Sequence, residues 1–172
     1  MFDNTFDFKY KGHFRTKHQT SSSEIICQDH IYSFKDHEND TYLVHLEEYD
    51  QNIFAVKFHL KNHSNSDKKY VYLTSKGIPA RIIGTCIQIM MDVLEKCESA
   101  SFAVLGVADS LDKPNVITRR FKVYKMVLKA FFSDKTFEHL IDDSNSAYFM
   151  ANRNSDKYKL LEAFNKLCKF YL

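Results

Sequence analysis

The sequence predicts an α+β fold: a single mixed, largely antiparallel sheet with one parallel pair of central strands, and three helices. Three observations carry this. Between Glu24 and Lys61, aromatic-rich and alternating segments are separated by polar turns, the pattern of an antiparallel meander. Ala80–Cys97 has the period of a helix with a very wide apolar arc. Ser101–Ala108, Ser-Phe-Ala-Val-Leu-Gly-Val-Ala, is almost continuously apolar, as expected of a strand covered on both faces.

Taken in order, residues 1–23 mix aromatics (Phe2, Phe6, Phe8, Tyr10) with a basic run from Lys9 to His18. Residues 6–10 suit a short edge strand, and the segment as a whole reads as a mobile terminus, or else as a contact for an acidic partner. Strands are expected at Glu24–Phe34, Thr41–Tyr49 and Ile53–Lys61. In the last of these Phe54, Val56, Phe58 and Leu60 alternate with Ala55, Lys57, His59 and Lys61. A polar loop, residues 62–69, leads to a further expected strand over 70–75, and Lys76–Pro79 turns the chain into the helix. At about 100° per residue, Arg81, Thr85, Gln88, Asp92, Glu95 and Lys96 make a polar stripe along that helix. Strand, helix, strand with short joints is a right-handed crossover, so strands 70–75 and 101–108 are expected to be parallel neighbours. A second helix is expected over 115–132, a hairpin over 135–152 and a final helix over 155–172.

The chain has 172 residues and a formal charge of +2, which fits one domain, 1–172, and implies no polyanionic partner from net charge alone. Cys27, Cys86, Cys97 and Cys168 show no C-x-x-C spacing and read as reduced residues of a cytoplasmic protein. No leader and no membrane-length apolar run is expected. The eight histidines have no Cys pair near them in sequence, and the reading is that there is no metal site.

The element order from Thr41 to Asn152 resembles the core of the GNAT acyl-CoA N-acyltransferases. There, three antiparallel strands are followed by a helix, a parallel strand, a second helix and two strands. Arg81-Ile82-Ile83-Gly84-Thr85-Cys86 is similar to the family's R/Q-x-x-G-x-G/A, departing from it at Cys86. The resemblance implies acetyl-CoA as cofactor. Its diphosphate would lie on backbone N–H groups near Arg81, Ile83, Gly84 and Thr85, at a helix start where unpaired donors and the dipole favour anions. It also implies Asn115 at the second helix and Tyr124 as the acid that protonates the leaving thiolate. The family's pair of helices before the meander is absent. Ala100-Ser101-Phe102 to Gly106 and Arg119 to Tyr124 also resemble text in small bacterial proteins, a likeness that carries no function.

The crevice beyond the ends of the parallel strands is the expected site, with Asp109, Asn115, Arg119 and Arg120 at its rim. Arg120 falls on the packed side of its helix, so it needs either a carboxylate such as Asp109 or a bound anion. The basic stripe of helix 115–132 is either a solvated face or a nucleic-acid contact. Two function classes follow. The first is a non-catalytic binding module that engages a protein or nucleic acid. The alternative is a CoA-dependent N-acyltransferase acting on an amine, with Glu47 or Glu48 as the fallback base. The absent helices and the departure at Cys86 favour the first.

Overall fold

A computed structural model of the chain describes residues 4–71, 79–108, 112 and 117–171. Its elements are β1 (Phe8–Gln19), β2 (Glu24–Lys35), β3 (Thr41–Tyr49), β4 (Ile53–Leu60), α1 (Pro79–Lys96), β5 (Ser101–Leu105), α2 (Arg119–Phe131), β6 (Phe137–Asp142), β7 (Ala147–Asn152) and α3 (Lys157–Tyr171). The seven strands form one sheet in the order β1-β2-β3-β4-β5-β7-β6. All neighbours are antiparallel except β4 and β5. The expected α+β class, mixed sheet and three helices are therefore present.

The meander runs through consecutive hairpins. Thr41↔Lys35 and Tyr42↔Leu60 fix β3 between its neighbours over nearly its full length. The turn from β3 to β4 is tight because Gln51 and Asn52 take left-handed backbone angles, φ 63° and 55°. In β1 the register slips between Tyr10 and Gly12, a bulge that Gly12 absorbs at φ 122°, where a side chain would be strained.

Period-two alternation separates two apolar layers. Tyr42, Val44, Leu46, Phe54, Phe102 and Met150 face α1 and α2, whose Ile82, Ile87, Met90, Phe121 and Val127 complete the larger core. Tyr49, Ile53, Phe149 and Ala151 face the other way onto Leu160 and Leu167 of α3. Phe149 and Phe164 stack there at 3.9 Å between centroids. Gly106, just past β5, lies against the start of α2, where Thr118 caps the helix. Its hydroxyl accepts from the Phe121 N–H and donates to the Gly106 carbonyl at 2.7 Å.

Four expectations change. The parallel neighbour of β5 is β4, residues 53–60, and the other edge of β5 is taken by β7, so no place remains beside it for a strand at 70–75. Tyr70 and Val71 are turn residues, and 72–75 lie outside the described residues. The N-terminal segment is not a loose end: β1 pairs with β2 from Phe8 to Gln19, and Phe6 packs in the core. Thr85, expected on the polar stripe, is fully buried, because the Phe6 N–H donates to its hydroxyl and that hydroxyl donates to the Arg81 carbonyl. Finally, β5 ends at Leu105, three residues before the end expected for it. Among the described residues no helix is long and apolar enough to cross a membrane.

Candidate functional site

The parallel pair is joined only over Ile53↔Ser101, Phe54↔Phe102 and Ala55↔Ala103. Beyond Ala55, β4 continues five residues to Leu60, while β5 continues two to Leu105 without pairing to it. A cavity of about 150 Å³ occupies the gap. Residues of both apolar layers line it: Val56, Phe58 and Tyr124 from the α1/α2 side, Ala103, Phe164 and Leu167 from the α3 side. A space reached from both faces is a slot through the sheet. Within it the β4 strand presents backbone groups that β5 does not take up, a sheet edge left open among the described residues.

The slot is mostly apolar; Arg120 and Tyr124 reach it from α2, and a chain of polar groups lies on the α3 side of β4. There the Leu60 carbonyl can only accept, so His59 Nδ1 donates to it at 2.8 Å. His59 Nε2 then accepts from His45 Nε2 at 3.1 Å, and His45 Nδ1 meets Asp29 Oδ2 at 2.8 Å. The register builds this chain, since Asp29, His45 and His59 project from β2, β3 and β4 on one face. Burial lowers the pKa of His59, and the neighbouring His45, Lys69 and His63 act the same way against the hydrogen bond to Leu60. The ring of Tyr70 packs edge-on over both imidazoles.

Beside it lies a second polar group. Glu47, 3 % exposed, accepts from Lys57 Nζ at 2.7 Å and the Tyr49 hydroxyl at 2.8 Å through Oε2, and meets His18 Nε2 at 3.0 Å through Oε1. Burial alone would raise its pKa, but His18, Lys57 and Tyr49 together outweigh that and hold the carboxyl at about 2. A carboxylate so stabilised is a poor base. Glu48 points to the opposite face and pairs with His30 at 2.6 Å, away from the slot.

The other expected site residues fall in several places. Tyr124 lines the slot, and burial pushes its pKa up to about 12, with Arg120 acting against the rise. Arg120 also lines it, and its guanidinium is spent on main chain, donating to the carbonyls of Tyr70 and Val71 at 2.6 Å each. These two carbonyls are its hydrogen-bond acceptors among the described residues; Asp109 and Asn115 lie outside them. Arg119 is at the start of α2 beside Asp112, Nε to Oδ1 3.6 Å. Arg81 lies over the Phe6 ring at 3.9 Å and donates to the Thr5 carbonyl. Ile83 adjoins a smaller hollow with Val56, Phe58 and Tyr124, which places the first turns of α1 beside the slot. With α1 described from Pro79, the N–H groups of Ile82, Gly84 and Thr85 are inside the helical ladder, and those of Ala80 and Arg81 have no partner within the described helix.

Sequence reasoning missed Asp29, His45, Lys57 and His59. Their signal was present in the register: alternate residues of three consecutive strands that carry charge or imidazole on what should be a buried face. The basic stripe of α2 is partly balanced, Lys125 pairing with Asp143 at 2.6 Å, and Tyr124 is turned inward, away from any stacking partner. No family model, curated protein or solved structure matches the chain.

Proposed function

We propose that this is a GNAT-like domain that binds a CoA thioester in the slot between β4 and β5 and passes its acyl group to an amine. The observation that carries the reading is the parting of the parallel pair β4 and β5 after Ala55 and Ala103, which opens a slot through the sheet beside the first described turns of α1. An extended arm containing amides satisfies an open strand edge as an added strand does. The pantetheine arm of CoA has that form. The N–H groups of Ala80 and Arg81, in the first described turn of α1, then supply anion donors for the diphosphate.

In the reaction the amine nitrogen attacks the thioester carbon, the C–S bond breaks, the amine loses a proton and the thiolate gains one. Tyr124, protonated across the physiological range, is the acid at the α2 side of the slot. His59 is the neutral imidazole on β4, and its Nε2 takes a proton once it gives up its contact with His45. Glu47 and Glu48 have no part in the transfer.

The test is a thermal-shift and calorimetric titration with CoA and acetyl-CoA. Stabilisation that grows with ligand concentration supports the reading. Ala80→Glu is the decisive variant. An acidic residue in the first turn suits the helix dipole, so the fold is kept, while the diphosphate is repelled and the shift disappears. No stabilisation at millimolar CoA, with a salt-sensitive shift on adding short DNA or RNA, would replace this reading by a non-catalytic module that engages nucleic acid through α2.

A further inference from the structure

The side chains of His18, Cys27 and Glu47 bring one nitrogen, one sulfur and one carboxylate oxygen within 4.8 Å of one another. They come from β1, β2 and β3, three adjacent strands of the meander. We infer that this cluster is a binding site for a zinc-class divalent ion that ties the first three strands together.

The donor set suits the ion. Imidazole, thiolate and carboxylate are the common ligands of tetrahedral zinc, and three protein ligands leave a fourth position for water. Glu47 is already oriented as a ligand: Tyr49 and Lys57 hold Oε2, so Oε1 is the oxygen that faces His18. Charge points the same way. Lys57 alone balances the Glu47 carboxylate, so an ion pair does not require His18 and Cys27 as well. With the ion bound, thiolate and carboxylate offset its two charges, Lys57 leaves the cluster about one unit positive, and the ligands must give up to solvent any proton at their coordinating atoms. Cys27 is 3 % exposed, whereas 28 % of the His18 side chain reaches water. The ion enters on that side, and the fourth ligand is water there.

The site adjoins the slot, since Tyr49 and Lys57 line the slot and also hold Glu47, but its three ligands and its spectroscopic readout do not involve what the slot binds. Cobalt(II) is the probe, because its thiolate charge-transfer absorption reports sulfur ligation and its visible bands report tetrahedral geometry. Titration of the metal-free full chain should give one equivalent of binding with both signatures, and zinc should displace the cobalt. Cys27→Ser should abolish the charge-transfer band. His18→Ala, a change at a half-exposed position that keeps the fold, should weaken binding by about tenfold or more. Cys97→Ser and His37→Ala should leave the titration unchanged. The inference is overturned if micromolar cobalt produces no stoichiometric binding, or if the band survives in both Cys27→Ser and His18→Ala.

Discussion

Ala55 and Ala103 are the last partners across the parallel pair, and the slot begins where their pairing ends. Ala103 borders the slot with a single methyl group. Ala103→Phe should fill that end of the cavity, with a change in Tm of a few degrees at most, because the added ring enters existing space. Stabilisation by CoA should vanish. Calorimetry with and without CoA on both proteins checks it, and retained binding in the variant would place the ligand elsewhere.

Arg120 is a clamp on the chain after the meander. Arg120→Ala removes two charge-assisted hydrogen bonds to Tyr70 and Val71, at a cost of about 2 kcal/mol. Arg120→Lys should recover little, since a point-like ammonium cannot reproduce the fork. Urea unfolding gives the energies, and limited proteolysis after Leu60 should speed up in both variants.

Gly106 permits the close approach of β5 to α2. A Cβ there would lie 2.5 Å from Phe121 Cβ and 2.9 Å from Phe121 Cα, so the helix start must move. Gly106→Ala should destabilise by about 2–3 kcal/mol. Thr118→Ala, which removes only the cap, should cost about 1 kcal/mol. Equal effects in chemical denaturation would contradict the packing described.

On α1, Met90 is 2 % exposed in the larger core and Gln88 is exposed. Met90→Asp places an unpaired charge in that core and should cost more than about 4 kcal/mol, while Gln88→Asp should stay within about 0.5 kcal/mol of the parent. Thermal melts of the two variants measure the contrast.

His59 gives the protein an acid-side weakness. Its folded pKa lies below the ordinary 6.5, so as pH falls the unfolded chain takes up the proton first. Its contribution is complete above about 6.5 and is lost as pH drops below that value. His45, Asp29, Tyr70, Lys69 and His63 surround it. The Tm should fall between about pH 7 and about pH 5, and the fall should be shallower in His59→Gln. Parallel curves for the two proteins would remove His59 as the cause.

Much of the fold was legible because burial leaves a period in the sequence. Thr41–Tyr49 was bounded to the residue by the polar turns on either side, and the helices and the hairpin were placed to within a few positions. The exception is instructive. Tyr70-Val71-Tyr72-Leu73 has strong strand propensity, yet the sheet position it would need is filled by Ile53–Leu60, and Tyr70 instead packs on His45 and His59. A crevice was expected beyond the ends of strands 70–75 and 101–108; the slot described here lies where β4 and β5 part. Its polar lining was not legible, because His45 and His59 become neighbours only through β3–β4 register, and His18, Cys27 and Glu47 only across three strands. No spacing rule along the chain detects that.

The short joint between β4 and β5 also bears on how the molecule assembles and breathes. The β1–β4 meander is made of consecutive hairpins, whose contacts are local and form early. The β5–β7–β6 half can join it only by closing the long excursion through α1, and three residue pairs then hold the two halves edge to edge. The β4–β5 seam therefore zips last during folding and opens first in the native state. Amide exchange should be fastest there among the sheet's interior strands, with each half protected as its own cooperative unit.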